Sequence, residues 1–312
     1  MASAAKTDRA GSVTGRARVS NTVELAYDLF GTSGRPLVLI MGIGAQRIMW
    51  ADDMCEQFVG AGFHVARFDH RDIGESSRID ARVPRPGRVL ARRLLGLPIA
   101  APYTLSDMAT DVAGLIDHLG FGSAHVVGTS LGGMVAQHLA IEHPHRIRSL
   151  CSIMSTPGAR RYLPEPRALG ALFRPAPKTA EQAGEHMVGV FDTIGSTGFP
   201  RDADRERIRK AGEAAFARGM SPRGFLRQFA AVAASGNRGA KLRTVQVPTL
   251  VIHGSRDPMF PLAAGRAMTR MMPNATWLPI AGMGHDMPMA LWPVLVSAIA
   301  RHAERADARA TV

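Results

Sequence analysis

Apolar residues recur along the chain in short runs that predict the strands of a sheet. Leu37–Met41 is apolar throughout, which is typical of a central strand covered on both faces. Thr22–Phe30 alternates between apolar and polar residues, as expected of an edge strand. Further strand-like runs are Phe63–Asp69, Ala124–Val127, Arg148–Met154, Val247–Gly254 and Thr276–Ile280.

Helical patterns alternate with these runs. The clearest is Leu105–Leu119, where Thr104 is a candidate N-cap, Asp107 occupies the capping-box position and Gly120 ends the helix. Others are predicted at Asp52–Ala61, Leu262–Met271 and Pro293–Ala306. Alternation of strands and helices implies a parallel sheet. The sequence therefore predicts an α/β protein with a mostly parallel central sheet flanked by helices.

The alternation breaks between residues 156 and 243, where the pattern is helical with Pro and Gly interruptions and has no clear strand. Helices are predicted there at Thr179–Phe191, Ala203–Ala217 and Ser221–Ala234. We interpret residues 156–243 as an inserted α-helical cap, so that the α/β core comprises residues 21–155 and 244–312. Residues 1–20 are small, polar and basic without periodicity, which predicts a flexible N-terminus.

A single serine lies between glycines in Gly128-Thr129-Ser130-Leu131-Gly132, at the junction of a predicted strand and a predicted helix. Such a G-x-S-x-G turn holds its serine in a strained backbone conformation, and only small neighbouring residues leave room for it. The turn presents the hydroxyl at its tip, in front of a helix N-terminus. The pattern predicts Ser130 as a nucleophile, with Gly128 and Gly132 as the glycines of the turn.

A serine hydroxyl needs a base, usually a histidine that is oriented by a carboxylate. His285 follows the last predicted strand in a glycine-containing loop, and Asp257 lies directly beyond a buried strand. The chain order Ser130, Asp257, His285 suits this kind of site, and the three loops meet at the carboxyl ends of the strands. We therefore predict these three as catalytic, with the cap inserted before the acid-bearing strand. A turn or capping role for Asp257, before Pro258, is the alternative.

Four other polar residues compete for roles in the site. Asp286 follows His285 directly, so its side chain is expected to diverge and to lie in a supporting or surface position. His253 stands at a strand end between apolar residues, which favours a structural role. His70 and Asp72 form a weaker alternative pair, which we expect in a hydrogen-bonded loop.

Acyl transfer also requires donors for the oxyanion that develops on the substrate. The backbone N–H of Leu131, directly after the serine, is the first predicted donor. The second is the N–H of Ile43, in the loop that follows the apolar strand Leu37–Met41. Gly42 and Gly44 flank Ile43, and we call Gly42-Ile43-Gly44 the oxyanion loop.

The charge of the chain is strongly positive. Its 312 residues carry a formal net charge of +12, nearly all of it from arginine. The arginines are scattered, and no helix-turn-helix, zinc-finger or RNA-binding signature accompanies them, so we expect no nucleic-acid partner. No stretch approaches the ~18 to 20 consecutive apolar residues of a membrane span. The sequence offers no role for the Arg-rich stretch Arg82–Arg93.

The cysteines and the N-terminal residues indicate the cellular compartment in which the protein is expected. Cys55 and Cys151 lie inside apolar elements and lack metal-ligand spacing, which favours buried thiols in a reducing environment. The first residues contain no apolar segment of the kind found in secretory signals. These observations predict a cytoplasmic protein.

The serine turn, the Asp257 turn and the Gly284-His285 turn resemble the α/β-hydrolase fold superfamily over nearly the whole chain. Met41-Gly42 and the stretch Arg67–Ser76 are most similar to the serine esterases of the aclacinomycin methylesterase group. The resemblance implies an α/β-hydrolase fold, a Ser-Asp-His triad, and hydrolysis of carboxylic esters without a metal or a cofactor.

The sequence therefore predicts a serine carboxylesterase that acts on a small-molecule ester through an acyl-enzyme. Another α/β-hydrolase activity remains an alternative: a lactonase, a carbon–carbon bond hydrolase or a cofactor-free perhydrolase. A non-catalytic ligand-binding module on the same fold is the alternative from a different class. Acyl and alcohol specificity, stereopreference and oligomeric state do not follow from the sequence.

Overall fold

A computed structural model of the chain describes residues 6–7 and 12–310. These residues form one sheet of nine strands in the order β1-β2-β3-β5-β4-β6-β7-β8-β9. The strands are β1 (Lys6–Thr7), β2 (Val13–Arg18), β3 (Glu24–Phe30), β4 (Arg35–Ile40), β5 (Phe63–Phe68), β6 (Ala124–Thr129), β7 (Ile147–Ile153), β8 (Thr249–Gly254) and β9 (Ala275–Ile280). From β5 to β9 the neighbouring strands are parallel, whereas β1 to β3 add antiparallel strands at one edge.

Eleven α-helices accompany the sheet in the described residues. They are α1 (Asp52–Gly60), α2 (Pro86–Leu95), α3 (Leu105–His118), α4 (Leu131–Glu142), α5 (Pro166–Leu172), α6 (Ala180–Ile194), α7 (Asp202–Ala217), α8 (Pro222–Ser235), α9 (Gly239–Leu242), α10 (Leu262–Met271) and α11 (Trp292–Ala310). Short 3-10 turns lie at Arg47–Met49, Pro144–Arg146 and Met289–Leu291. The predicted capping box at the start of α3 is present, since Thr104 and Asp107 exchange hydrogen bonds between side chain and backbone.

The strand β4 shows how the sheet divides the core into two layers. Leu37 and Leu39 face a cluster that includes the buried side of α1 and α11, while Val38 and Ile40 face a cluster built with α3, α4 and α10. A strand that is buried on both faces has no polar alternation, which explains its continuous apolar sequence. The prediction of an α/β fold with a mostly parallel, doubly covered sheet is confirmed.

The N-terminal part of the chain differs from the prediction. Val13–Arg18, placed in a flexible segment by the sequence, form β2, which pairs with β3 and buries Ala17. The core therefore begins before residue 21, and β3 is not an edge strand. The sequence signal was weak because the strand has only one fully buried side chain among polar and glycine neighbours. Residues 1–5 and 8–11 of the predicted flexible segment lie outside the described residues.

The segment 156–243 contains the five helices α5 to α9 and, among its described residues, no strand. The three predicted helices are present, with every end within three residues of its expected position, whereas the short helices α5 and α9 were not predicted. The helices α6 and α7 approach closely at Gly212, where an added Cβ would lie 2.6 Å from the Ala183 carbonyl oxygen. We use the word cap for residues 156–243 below.

Candidate active site

Ser130 lies on the sharp turn between β6 and α4. Its backbone has φ 54° and ψ −117°, a conformation that L residues with a side chain rarely adopt. The Ser130 N–H donates to the Ile153 carbonyl at 3.0 Å, and the Ser155 hydroxyl donates to the Ser130 carbonyl at 2.8 Å. These bonds to the end of β7 hold the strained turn in place.

The glycines of the turn are required by close backbone approaches. A Cβ at Gly128 would lie 2.3 Å from the Gly132 carbonyl oxygen, and a Cβ at Gly132 would lie 2.2 Å from the Ile40 carbonyl oxygen. Both distances are far shorter than any contact between these atoms. Gly132 therefore lets α4 start directly against the end of β4, where the oxyanion loop begins.

The structure brings Ser130, Asp257 and His285 together. The His285 Nε2 lies 3.0 Å from the Ser130 hydroxyl, and the Nδ1 lies 3.0 and 2.9 Å from the two Asp257 oxygens. Asp257 also accepts hydrogen bonds from the backbone N–H groups of Met259 and Phe260. Burial opposes ionisation of Asp257, but the attraction and hydrogen bond of His285, together with the hydrogen bond from the Phe260 N–H, outweigh it and lower the pKa of the carboxyl. A charged Asp257 favours the tautomer in which His285 Nε2 is free to accept the serine proton.

His253 lies beside the triad without belonging to it. Its Nε2 is 2.9 Å from the Phe260 carbonyl oxygen and 3.4 Å from an Asp257 oxygen, and the ring is fully buried. Burial lowers its pKa, which keeps the imidazole neutral beside Asp257. The neutral ring is thus able to donate to the Phe260 carbonyl, which fixes the turn that carries Asp257.

Asp286, adjacent to His285 in sequence, has different partners. It accepts hydrogen bonds from the Ser196 backbone N–H, at 2.8 Å, and from the Ser196 hydroxyl. The same hydroxyl oxygen accepts the Gly284 N–H at 2.9 Å, and the His285 N–H donates to the Ile194 carbonyl at 2.7 Å. Burial raises the pKa of Asp286, although the bonds from Ser196 oppose the shift. The cap segment 194–196 therefore holds the loop 281–286, which we call the histidine loop.

The oxyanion loop passes beside the serine. A Cβ on Gly42 would lie 3.5 Å from the Ser130 Cβ, so no side chain separates this backbone from the nucleophile. Gly44 has φ 68°, and its N–H donates to the side-chain oxygen of Gln228 on α8 at 2.8 Å. Leu131 is the first residue of α4, where an N–H has no partner within the helix. Of the predicted donor residues, Leu131 directly follows Ser130 and Ile43 directly follows Gly42, and the role of both remains a prediction.

The pair His70 and Asp72 is part of a structural loop, as expected, and not of the triad. His70 is fully buried with its Nε2 3.0 Å from the Met41 carbonyl oxygen, and burial lowers its pKa to about 4. The Asp72 backbone has φ 72°. Its two carboxylate oxygens accept hydrogen bonds from Nε and Nη2 of the buried Arg227 guanidinium, both at 2.8 Å. Arg227 belongs to α8, so this ion pair joins the cap to the core loop.

Sequence reasoning missed the cap residues that support the site. Gln228 and Ser196 are polar residues in helical or loop segments, without a motif around them. Their partners, Gly44 and Asp286, are 184 and 90 residues away along the chain. Only the three-dimensional arrangement reveals these contacts.

A sequence model described as the alpha/beta hydrolase fold matches residues 35–289, a range that includes all three triad positions. The chain belongs to the α/β-hydrolase fold family. Among curated α/β-hydrolase relatives, the rhodomycin D methylesterase DnrP of Streptomyces peucetius is 30% identical over 292 residues, covering 87% of this chain and 91% of the relative. The rhodomycin D methylesterase DauP of Streptomyces sp. strain C5 is 29% identical over 295 residues, with coverages of 87% and 91%.

Solved structures of α/β-hydrolases also superpose on the chain. The meta-cleavage product hydrolase CumD from Pseudomonas fluorescens IP01 gives a TM-score of 0.70 at 18% identity, covering 94% of this chain and 98% of that one. At 18% identity the similarity supports only the fold. The resemblance to α/β-hydrolases of the methylesterase group, inferred from sequence motifs, is confirmed. In the part of the α/β-hydrolase chain that the structure describes, no helix is long and apolar enough to cross a bilayer.

Proposed function

We propose that the protein is a serine carboxylesterase in which Ser130 is the nucleophile, His285 the general base and Asp257 the residue that orients the base. One observation carries this proposal. A continuous hydrogen-bonded chain runs from the Ser130 hydroxyl through both nitrogens of His285 to Asp257, with contacts of 3.0 Å or less. The choice of ester hydrolysis as the reaction rests on the family and on the methylesterase relatives.

In the first half of the reaction His285 Nε2 takes the proton of the Ser130 hydroxyl as the oxygen attacks the ester carbonyl carbon. The tetrahedral intermediate carries a negative charge on the former carbonyl oxygen. His285 then donates its proton to the leaving alcohol, and an acyl group remains on Ser130. In the second half His285 takes a proton from water, which attacks the acyl-enzyme, and then returns it to Ser130 as the acid leaves.

The oxyanion is held, in this proposal, by the backbone N–H groups of Leu131 and Ile43. Leu131 supports the assignment because it starts α4, where the helix dipole favours negative charge. Ile43 supports it because Gly42, its neighbour, lies directly against Ser130. One such donor typically contributes about 10² to 10³ in rate. We further propose that the cap covers this site and that the core and the cap divide at residues 156 and 243.

The proposed substrate is a methyl ester with an apolar acyl part. The methyl ester follows from the rhodomycin D methylesterase relatives, whose names specify that alcohol. The apolar part is supported by a cluster of partly exposed aromatic rings on the cap. The Phe173 ring lies 5.5 Å from that of Phe225 and 5.0 Å from that of Phe229, and Phe225 packs against Gly44 of the oxyanion loop.

The central test replaces the nucleophile. We expect Ser130→Ala to abolish hydrolysis of p-nitrophenyl esters while leaving the circular dichroism spectrum and the melting temperature close to those of the wild type. Ser152→Ala is the matched control, because Ser152 is a buried serine on β7 whose hydroxyl points to the Met268 sulfur. Wild-type turnover by the Ser130→Ala protein would disprove the proposal.

A substrate panel separates the remaining hydrolase activities. Methyl, ethyl and benzyl esters of one aromatic acid test the alcohol preference, and we expect the methyl ester to have the highest kcat/KM. A lactone, a vinylogous diketone and peroxide-dependent halogenation test the lactonase, carbon–carbon hydrolase and perhydrolase alternatives. Tight binding of the esters without any turnover would instead favour a ligand-binding module.

A further inference from the structure

The Arg-rich stretch of the sequence ends at a cavity that the catalytic site does not use. Helix α2 covers most of that stretch and ends at Leu95, and the Gly96 that caps it has φ 72°. A cavity of about 240 Å³ opens between this end of α2 and the C-terminal turn of α8. Arg93 and Arg160 line it, together with Leu97 and Gly236. No member of the triad contributes to its wall.

Three guanidinium groups gather at this cavity. Arg93 donates to the Gly158 carbonyl at 2.6 Å, and the Arg160 guanidinium lies against Gly96, where an added Cβ would be 2.4 Å from its Nη1. The third group, Arg238, is buried behind the cavity wall. It donates to the carbonyl of Gly236, which is itself a lining residue.

The acceptors that Arg238 contacts are all neutral. Besides Gly236, it donates to the Thr156 carbonyl at 2.8 Å and to the side-chain oxygen of Gln137 at 3.0 Å. Among the described residues no carboxylate is ion-paired with Arg93, Arg160 or Arg238. Burial, reinforced by repulsion from Arg93, lowers the pKa of Arg238 to about 10, and burial together with Arg160 lowers the pKa of Arg93.

The other buried arginines among the described residues differ from Arg238 in having a carboxylate partner. The described residues include four buried arginines, and each of the other three pairs with a carboxylate. These pairs are Arg47–Asp69, Arg67–Asp28 and Arg227–Asp72. A buried charge is costly unless an opposite charge compensates it. Arg238 is the exception: the charge that acts on it is that of Arg93, another cation, and Arg160 in turn lies near Arg93.

We propose that this cavity binds the phosphate group of a phosphate ester, held by Arg93 and Arg160 at its wall and stabilised by the charge of Arg238 behind it. The planar fork of a guanidinium matches the oxygens of a phosphate with two parallel hydrogen bonds. A volume of about 240 Å³ exceeds what a bare phosphate fills, so a substituent has room. Leu97, which is 46% exposed, lines the cavity together with Pro98 and Ile99, and these side chains suit an apolar substituent.

The proposal is tested with inorganic phosphate as the probe, titrated by calorimetry at constant ionic strength in chloride. We expect the Arg93→Gln/Arg160→Gln double variant to bind phosphate about 100-fold more weakly than the wild type, about tenfold for each lost charged partner. The matched control is Arg85→Gln/Arg88→Gln, which removes the same charge from exposed positions beside and on α2. We expect this control to retain the wild-type affinity.

Two results would overturn the proposal. One is a wild-type protein that binds phosphate no more tightly than the Arg93→Gln/Arg160→Gln variant. The other is an equal loss of affinity in both double variants, since that would reflect net charge and not the cavity. The melting temperature in phosphate, measured against chloride, is a second readout, because a ligand that binds the native state raises it. We expect phosphate to raise the melting temperature of the wild type and of Ser130→Ala, but not that of Arg93→Gln/Arg160→Gln.

The source of the phosphate ester is resolved by vesicle sedimentation. Vesicles of phosphatidylcholine alone are compared with vesicles that also contain phosphatidylglycerol. Sedimentation with the mixed vesicles only, lost in Arg93→Gln/Arg160→Gln and displaced by inorganic phosphate, would support the proposal with a lipid headgroup as the ligand. Phosphate binding without sedimentation would support it with a free phosphate ester. Equal sedimentation of the wild type and of the Arg93→Gln/Arg160→Gln variant, with no calorimetric binding of phosphate by the wild type, would overturn the proposal.

Discussion

Ser130, Asp257 and His285 all lie on turns that follow strands of the core, whereas the cap contacts the loops of the site through a few hydrogen bonds from separate positions. In the core, each functional residue is placed by the strand next to it. In the cap, Gln228 and Ser196 hold backbone groups of the oxyanion loop and of the histidine loop. In the proposed mechanism the core therefore supplies the reacting groups, and the cap contacts the loops that carry or surround them.

This difference predicts two kinds of mutational effect. A change in a core residue of the triad removes a group that the proposed chemical step requires. Its effect on kcat is therefore expected to be large even when the variant is as stable as the wild type. A change in a cap contact leaves every reacting group present and alters its position or the stability of the loop. Small displacements still matter, because catalytic geometry depends on near-contact distances.

After the loss of activity expected in Ser130→Ala, the largest effect is expected for the carboxylate of the triad. We predict that Asp257→Asn lowers kcat by about 10⁴, because an amide in place of the carboxylate favours the wrong tautomer of His285 and cannot stabilise its charged form. The measurement is steady-state hydrolysis of a p-nitrophenyl ester. KM is expected to change much less, since the substitution leaves the shape of the site intact.

Asp286→Asn is the control for that prediction, as the carboxylate adjacent to His285 in sequence. Its partners are the N–H and hydroxyl of Ser196, and an amide oxygen can still accept a hydrogen bond from either. We expect a loss of less than about tenfold in kcat, since its bonds position the loop and do not reach the His285 ring. A loss in Asp286→Asn that equals the loss in Asp257→Asn would show that the wrong carboxylate has been assigned.

The same contrast explains what could be predicted from the sequence. The turn around Ser130 leaves a local signature, because its close backbone approaches exclude any side chain at Gly128 and Gly132. Asp257 and His285 could be found because strand ends and chain order restrict the candidates. The apolar run of β4 identified a central strand, since burial on both faces removes polar alternation.

The missed features have no such local cause. Gln228 contacts Gly44 from 184 residues away, and its position in an amphipathic helix is compatible with any polar residue. The strand β2 was missed because pairing with β3 fixes it, while its own sequence contains glycine and few apolar residues. The clustering of Arg93, Arg160 and Arg238 likewise depends on tertiary structure, as two of the three lie far from the Arg-rich stretch in sequence.

The next largest effect concerns the ion pair that joins the cap to the core. We predict that Arg227→Met destabilises the protein by about 3–5 kcal/mol, because Asp72 is fully buried and would lose the cation that compensates its charge. Urea denaturation measures the change. The matched control is Arg205→Met, which breaks the exposed pair with Asp192 and is expected to cost no more than about 1 kcal/mol. Equal effects of the two substitutions would contradict the structural role of the buried pair.

Gln228 tests the support of the oxyanion loop. We predict that Gln228→Met lowers kcat about tenfold with little change in KM, because the Gly44 N–H loses its acceptor and Ile43 is then less well oriented. The effect is smaller than the 10² to 10³ typical of deleting an oxyanion donor, since both donors remain. Gln228→Glu, which keeps an acceptor oxygen at this position, is expected to recover part of the loss. A rise in KM alone would indicate a substrate contact and contradict a positioning role.

A smaller effect is expected at the contact between the cap and the histidine loop. We predict that Ser196→Ala lowers kcat by about three- to tenfold, because the Gly284 N–H loses its acceptor next to His285. Ser196→Thr retains the hydroxyl and provides the matched comparison. An unchanged kcat in Ser196→Ala would show that the bond from His285 N–H to the Ile194 carbonyl is sufficient to hold the loop.

The smallest effect is a difference in acid stability. The pKa of Asp257 is lowered in the folded protein, so its carboxylate stabilises the fold above the unfolded-state pKa of about 3.9. This contribution is lost as the pH falls through the folded-state pKa. The free energy of unfolding of the wild type is therefore expected to decrease more steeply below about pH 4 than that of Asp257→Asn, which has no proton to bind there. Urea denaturation of both proteins between about pH 3 and 6 measures the difference, and parallel curves would mean that His285 does not stabilise the charged form of Asp257.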